Sequence, residues 1–474
     1  MQLRTYQQNA LTQLRQYIST GRNRLILCSP TGSGKTVIFS TIAKNAIEKG
    51  RKVLIVTDRI ELLKQSGNAL AMLNLKPETI EAGKRTNHNG HLYTAMVETL
   101  VRRIAKPEYL RLFKSFDLII FDEAHKQAFN KVFQHIARNQ TVIGATATPY
   151  RKAGQIPLSR HYHEIVETVT IADLIEQGYL AKPNSFGVPV DLSQVQMRGG
   201  DYDESSLGEN YSKNRVFDGV IENYLRLTPN KKAIAFCPTI ASSMELCSQM
   251  QGAGINAKHL DSTMDAETRK ERLKWLKITP DAVLCNVGIL TTGFDEPTIE
   301  VVILYRATTS LPLFLQMVGR GSRVTETKKA FTILDFGENI RRHGFWEENR
   351  KWSLELARKK KTGVAPAKNC PKCWALVASS LRQCECGHEF KSKDQEKQEK
   401  LVVELKQLEP ALARAKARVM GLSELAQLAK AGVVKPFWVL HNLQTKAEAD
   451  EFIKLMGWKP GWWHHNRHRF PNLR

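Results

Sequence analysis

Ser29-Pro30-Thr31-Gly32-Ser33-Gly34-Lys35-Thr36 lies between a short apolar run at residues 24–28 and a helically periodic stretch at 36–49. No other segment restricts the fold so sharply. A strand that turns through glycines into a helix lets its backbone amides wrap an anion, and the helix N-terminus faces that anion with partial positive charge. Thr31, Gly32, Ser33 and Gly34 are the expected cradle. Lys35 would neutralise the β- and γ-phosphates of ATP, and the Thr36 hydroxyl would ligate Mg²⁺. Ser29 stands where the strict pattern has glycine, and the strand–loop–helix setting compensates for that departure.

The surrounding rhythm fits such a loop. Residues 24–28, 52–57, 117–121 and 141–144 read as buried strands, and 36–49 and 61–73 as crossover helices. The rhythm returns with strands at 233–237, 282–286, 301–305 and 330–335. Two α/β lobes with parallel sheets are therefore expected, joined by a polar stretch at 150–229 that is helical at 171–180. After residue 336 the character changes. Residues 341–361 read as a charged helix, 370–390 as a cysteine module and 391–420 as an exposed Lys/Glu helix.

Asp122-Glu123-Ala124-His125 closes the run 117–121, at the strand end where parallel sheets bind ligands. Asp122 is suited to hold Mg²⁺ and Glu123 to polarise an attacking water, with His125 completing the group. Then follow Thr146-Ala147-Thr148-Pro149, Leu290-Thr291-Thr292-Gly293-Phe294-Asp295 and Gln316-Met317-Val318-Gly319-Arg320-Gly321-Ser322-Arg323. In this order, from Leu3 to Asn339, the chain resembles a superfamily 2 DEAH-box helicase, nearest the RadD-like group and the XPB-type DNA helicases.

The resemblance implies two tandem RecA-like lobes of a P-loop NTPase, at residues 1–182 and 183–340. It implies that Arg320 and Arg323 reach the γ-phosphate from the second lobe, with Gln316, Gly293 and Asp295 lining the cleft. Arg4 and Gln7, in Arg4-Thr5-Tyr6-Gln7, would read the adenine. Thr146 and Thr148 would couple hydrolysis to strand grip, and Arg59, Thr99 and Thr292 would touch nucleic acid.

Cys370-Pro371-Lys372-Cys373 and Cys384-Glu385-Cys386 bring two thiol pairs within seventeen residues. That spacing suits structural Zn²⁺ in a small ribbon at 369–390, with His388 a substitute for one thiolate. The scattered Cys28, Cys237, Cys247 and Cys285 read as reduced core residues, which suits a reducing compartment.

The formal charge is +23, and from Gly337 onward 27 Lys/Arg face 15 Asp/Glu. Such an excess favours a polyanionic partner. A basic helical linker is expected at 341–368 and a basic, tryptophan-rich helical domain at 421–474. In that domain K-P-x-W-x-x-H-N occurs at 435 and again at 459. Lys435, Lys459 and Trp463 would contact nucleic acid, while Trp438 and Trp462 serve its core; the alternative is a purely structural tryptophan core.

The expected partner is DNA, single-stranded, forked or branched, with RNA not excluded and protein partners open through the C-terminal module. No apolar run is long enough for a membrane span, and a bacterial or phage protein acting in the cytoplasm is the expected setting. The expected activity is an ATP-dependent DNA translocase or helicase in repair, recombination or replication. The alternatives are an RNA helicase and the motor subunit of a restriction-type complex.

Overall fold

A computed structural model describes residues 3–58, 67, 70–188, 192–213, 216–290, 294–356, 367–390, 421–430, 436–443, 445–458 and 462. Its contacts divide the chain into two compact units, Met1–Ser380 and Leu381–Arg474.

The first unit holds two parallel sheets. In the first lobe β1 (Arg24–Cys28), β2 (Val53–Thr57), β3 (Glu78–Ile80), β4 (Leu92–Met96), β5 (Leu118–Asp122), β6 (Thr141–Thr146) and β7 (Glu164–Glu167) lie in the order β3-β4-β2-β5-β6-β1-β7. Successive side chains of a strand point to opposite faces. Leu25, Leu27, Val53, Ile55, Leu118 and Ile120 therefore pack beneath the helices Thr5–Ser19 and Lys35–Ile47. Ile26, Leu54, Val56, Ile119 and Phe121 pack on the other face, beneath Val97–Ile104 and Pro107–Lys114. Burial on both faces explains why these strands read as unbroken apolar runs.

The second lobe repeats the plan. It is built from β8 (Lys182–Gly187), β11 (Ala233–Phe236), β12 (Ala257–Leu260), β13 (Val283–Asn286), β14 (Val301–Leu304) and β15 (Ala330–Asp335), in the order β12-β13-β11-β14-β15-β8. Between β8 and β11 a small hairpin, β9 (Met197–Arg198) and β10 (Asp201–Tyr202), turns at Gly199 and Gly200, both with positive φ. Leu174, Leu180 and Ala181 are buried with Leu284 and Leu315, so residues 171–181 pack into the core of the second lobe.

Of the charged helix expected at 341–361, only residues 341–343 are helical among the described ones. Helix Asn339–His343 ends at Gly344, whose φ is +84°. The chain then runs irregularly because its polar and apolar groups find better partners elsewhere. Arg350 donates to the carbonyls of His343, Phe345, Trp346 and Glu348, replacing helical hydrogen bonds. Trp346 is buried, edge-on to Phe331, with its indole N–H on the Leu315 carbonyl at 3.2 Å. Trp352 packs against the cores of both lobes, and the Leu354 carbonyl accepts from the Ser159 amide at 3.0 Å. This strap ties the lobes together. Trp346→Ala should lower unfolding free energy by about 3–5 kcal/mol, read from the urea midpoint, because it removes a fully buried indole.

The strands β16 (Ala367–Asn369) and β17 (Leu376–Ala378) form an antiparallel pair, fixed to β8 by a bridge between Phe186 and Ala375.

In the second unit, helices Leu422–Lys430, Pro436–Asn442 and Lys446–Met456 enclose a core of Leu425, Val439, Leu440, Phe452 and Ile453. Trp462 packs partly buried against it, 4.3 Å centroid to centroid from Trp458. The side chain of Trp438 and the helix expected at 391–420 lie outside the described residues. Among the described residues, no helix is long and apolar enough to cross a membrane.

Candidate active site

β5, β6 and β1 are neighbours in the sheet, so their C-terminal ends bring three motifs to one edge. Lys35 opens the helix after β1, with Thr36 beside it in the first turn. The Lys35 ammonium lies 3.3 Å from Asp122 Oδ1 and forms an ion pair with Glu123. Asp122 and Glu123 are buried and Lys35 largely so, which strengthens the interaction of their charges. Burial opposes the ammonium of Lys35, but Asp122 and Glu123 together hold its pKa above the ordinary lysine value. Burial also opposes the Glu123 carboxylate, yet Lys35, helped by His125 and Lys126, pulls it down to about 2. Glu123 has a φ of +55°, a left-handed conformation unusual for a side chain larger than glycine, and its amide donates to Asp122 Oδ1 at 3.0 Å. Glu123 Oε2 is buried and accepts no hydrogen bond, with His125 Nδ1 3.4 Å away.

His125 is neutral at physiological pH, because burial lowers its pKa to about 4. Its Nδ1 is 2.8 Å from the Thr146 hydroxyl, which also accepts the Thr148 amide at 3.0 Å. The acidic turn and the threonine turn thus share a hydrogen bond.

Sequence reasoning missed a residue here. Arg151 is 2% exposed and donates to the carbonyls of His125 and Lys126, to Ile156 O and to Asn130 Oδ1. The next residue, Lys152, donates to the Thr309 hydroxyl at 2.9 Å and the Gly200 carbonyl at 3.0 Å, on the second lobe. Only their adjacency to Pro149 hinted at a role.

The second lobe meets this edge through the helix Leu311–Val318 and the turn after it. A Cβ at Gly32, whose φ is +91°, would sit 2.7 Å from Arg323 Nη1. One at Gly319 would sit 3.0 Å from the Thr31 methyl. Arg323 therefore lies directly over the phosphate loop, and its Nε donates to Asp295 Oδ1 at 2.9 Å. Arg320 donates to the Phe294 carbonyl; burial lowers its pKa to about 10, with Arg323 adding to that and Asp295 and Glu123 opposing it. Gln316 is buried in the same helix. Lys328, also missed, is buried and donates to the carbonyls of Ile299 at 2.5 Å and Gly321 at 2.9 Å, bracing the arginine turn.

Gln7 sits on the loop itself. Its Nε2 donates to the Ser33 carbonyl at 3.0 Å, and its Oε1 accepts the Arg4 amide at 3.0 Å. The Arg4 guanidinium stacks 3.8 Å over the Tyr179 ring. Thr99 lies away from this cleft, in the helix after β4. Arg59, Thr292, Gly293, Lys435, Lys459 and Trp463 fall outside the described residues.

The thiols of Cys370, Cys373, Cys384 and Cys386 all lie within 4.8 Å of one another. Trp374, with a φ of +63°, donates its amide to the Cys370 carbonyl at 2.7 Å, and Gly387 donates to Cys384 O at 2.8 Å. These two turns direct the thiols to one point. His388 is not part of the group.

Two family profiles match separate parts of the chain. The family profile "Type III restriction enzyme, res subunit" matches residues 1–151, and "Helicase conserved C-terminal domain" matches 216–325. A 51.5 kDa protein of a Lactococcus phage is 30% identical over 400 residues, covering 82% of this chain and 83% of the relative. The putative ATP-dependent helicase IRC3 of Saccharomyces cerevisiae is 30% identical over 358 residues; the match takes in 70% of this chain and 51% of the yeast protein, about half its length. In fold, the chain is similar to a fragment of a putative HsdR subunit of a type I restriction enzyme from Vibrio vulnificus, with a TM-score of 0.57, 22% identity, and coverage of 72% and 65%. With two RecA-like lobes, a lysine–carboxylate cluster on one and arginines presented to it by the other, the chain belongs to superfamily 2 of the helicases, the nucleic-acid-dependent ATPases.

Proposed function

We propose that this chain is an ATP-driven DNA translocase or helicase, of the kind represented by the RadD-like and XPB-type proteins, which remodels DNA in repair, recombination or replication. The observation that carries the ATP reading is the approach of Arg323 to Gly32 beside the pairing of Lys35 with Asp122 and Glu123. Nucleotide bound there would touch both lobes, so binding favours closure and hydrolysis releases it.

Asp122 and Thr36 are the residues to hold Mg²⁺, and the buried acceptor Glu123 Oε2 suits the attacking water. Mg²⁺ held by them would supply positive charge that neutralises the phosphates. As Lys35 moves to the phosphates, the positive charge that depresses Glu123 leaves it. Its carboxylate then becomes a stronger base when the water must lose a proton. The path from hydrolysis to the second lobe runs through His125 and Thr146, then Arg151, then Lys152 on Thr309. Gln7 and Arg4 are assigned to the adenine, and Thr148, Thr99, Arg59 and Thr292 to strand grip and its coupling. ATPase stimulation by single-stranded DNA, forked DNA and RNA, measured side by side, tests this reading; stimulation by RNA alone would overturn the choice of DNA.

A second reading, the motor subunit of a restriction-type complex, is favoured by the restriction-enzyme profile over residues 1–151. Strand displacement by the isolated chain would count against it.

The four clustered cysteines are proposed to hold structural Zn²⁺, since four thiols at this spacing complete a tetrahedral shell. Cys370→Ser with Cys373→Ser should release one zinc per chain, measured by a metallochromic dye. DNA affinity should fall while basal ATPase persists.

A further inference from the structure

We propose that Asp201, beside the tip of the β9–β10 hairpin, is a positioning residue for ATP hydrolysis, fixing the start of the helix that leads to Arg320 and Arg323. This rests on the interlobe path given above, which ends on Thr309, and adds the element that receives it. The carboxylate of Asp201 is engaged twice: Oδ2 accepts the Thr308 hydroxyl and Oδ1 the Thr309 amide, each at 2.6 Å. The carbonyl of its neighbour Gly200 accepts the Thr309 hydroxyl at 2.6 Å and the Lys152 ammonium at 3.0 Å. Lys152, which comes from the first lobe, also donates to the Thr309 hydroxyl at 2.9 Å. One hairpin therefore holds both the Thr308–Thr309 segment of its own lobe and the lysine that reaches that segment from the other.

The hairpin is anchored on the second lobe. Glu204, just beyond it, pairs with Arg306 at 3.0 Å. Arg342 lies 5.0 Å over the Tyr202 ring and donates to its hydroxyl. Burial opposes the charge of Asp201, but the Thr308 hydroxyl, the amides of Thr309 and Tyr202, and the Lys152 ammonium hold its pKa below the ordinary carboxylate value. At neutral pH it is therefore an anion with fixed partners.

From that anchor the contacts run into the helix. The Thr308 hydroxyl, which donates to Asp201, accepts the Ser310 amide at 3.0 Å. Ser310 is the N-cap of Leu311–Val318, and its hydroxyl accepts the Leu313 amide at 3.4 Å. His343 donates to the Thr308 carbonyl at 2.8 Å and stacks on Phe314 of the same helix. The helix has 8 residues and is about 12 Å long. A tilt of roughly 5° at its start would move its end by about 1 Å, a misplacement that can slow catalysis about 10²-fold. The arginine turn follows that end directly, and Arg323 lies over Gly32. The phosphate loop belongs to the first lobe, so misplaced arginines should slow hydrolysis and leave affinity for ATP largely intact.

The test is steady-state ATPase of the full chain, with and without oligothymidylate. Asp201→Ala should lower kcat by about 30- to 100-fold while KM for ATP changes less than about threefold. Asp201→Asn keeps an acceptor for the Thr309 amide, and the Thr308 hydroxyl can turn to accept from the new amide nitrogen. It should therefore recover kcat to within about fivefold of the wild type. Thr309→Val keeps the shape of the side chain but removes its bonds to Gly200 and Lys152, and it should show the same loss in kcat alone. This second variant decides the matter if Asp201→Ala does not fold. Unchanged kcat in Thr309→Val and in whichever Asp201 variants fold, or a rise in KM with kcat intact, would overturn the positioning role. Equal losses in Asp201→Asn and Asp201→Ala would overturn it too, because hydrogen-bond geometry would then not be what matters. Lys152→Ala separates the hairpin from the interlobe path. A slowed Lys152→Ala beside a wild-type rate in Asp201→Ala would overturn the hairpin's role alone. A wild-type rate in Lys152→Ala beside a slowed Asp201→Ala would overturn the path through Lys152 and leave Asp201 in its role.

Discussion

Arg323→Ala is expected to lower kcat for ATP by about 10³- to 10⁵-fold with saturating nucleic acid, the range for removing an arginine that neutralises a transferring phosphoryl group. The expectation rests on position: Arg323 reaches Gly32 of the phosphate loop from the opposite lobe, and its side chain is oriented by Asp295 at 2.9 Å. Charge at that point matters most when negative charge spreads over the γ-phosphate oxygens, so KM for ATP should change far less than kcat. Arg323→Lys should not restore the rate, because a lysine cannot donate through Nε to Asp295 while also presenting a planar fork to the phosphate. Asp295→Ala, which releases the guanidinium without removing it, should cost less than Arg323→Ala. Steady-state ATPase assays on the three variants decide it. A loss below tenfold for Arg323→Ala would leave the phosphate contact to Arg320, whose guanidinium is already engaged on the Phe294 carbonyl.

The parts of this cleft legible in the sequence are those whose chemistry depends on local backbone. A strand, a glycine turn and a helix start make the Lys35 loop recognisable because eight consecutive residues build it. The buried central strands are legible for the same reason: burial on both faces leaves an unbroken apolar signal. β3, β4, β7, β8 and β12 are not. They are short or mixed in polarity, as in Glu78–Ile80 and Lys182–Gly187, and the partner strand rather than the local pattern sets them. Arg151 and Lys328 stay hidden because their role lies in carbonyls distant along the chain, 26 residues away for His125 and 29 for Ile299. Nothing in a basic residue's neighbours reveals that it will be buried against such groups. The absence of the expected helix at 344–356 has the same cause: Trp346, Trp352 and Arg350 are drawn to tertiary partners, which outweigh helical propensity.

Lys35→Met should abolish ATP turnover and, unlike most active-site substitutions, change how stability depends on pH. The turnover loss follows from removing the one cation placed at the centre of the phosphate loop; nucleic-acid binding without nucleotide should persist. The stability effect follows from what Lys35 does when no phosphate is bound. Its ammonium is raised in pKa by Asp122 and Glu123, so it contributes stability that is present below about 10.5 and lost only above its folded pKa. Glu123, depressed to about 2, contributes stability that is present above its ordinary value near 4.5 and lost as pH falls toward 2. At pH 7 both contributions are complete, and breaking such a buried pair from one side costs about 3–5 kcal/mol. Burial raises the Asp122 pKa even beside Lys35, whose charge opposes that rise. Without Lys35 the strongest charge lowering both carboxylates is gone, so both take up a proton in the folded state at higher pH than in the wild type, and that protonation relieves the variant's buried charge. The gap in unfolding free energy between wild type and Lys35→Met should therefore narrow as pH falls from 7 to 5. Urea titrations at both values measure it, and a gap that stays constant or widens would mean that the lysine does not balance these carboxylates in solution.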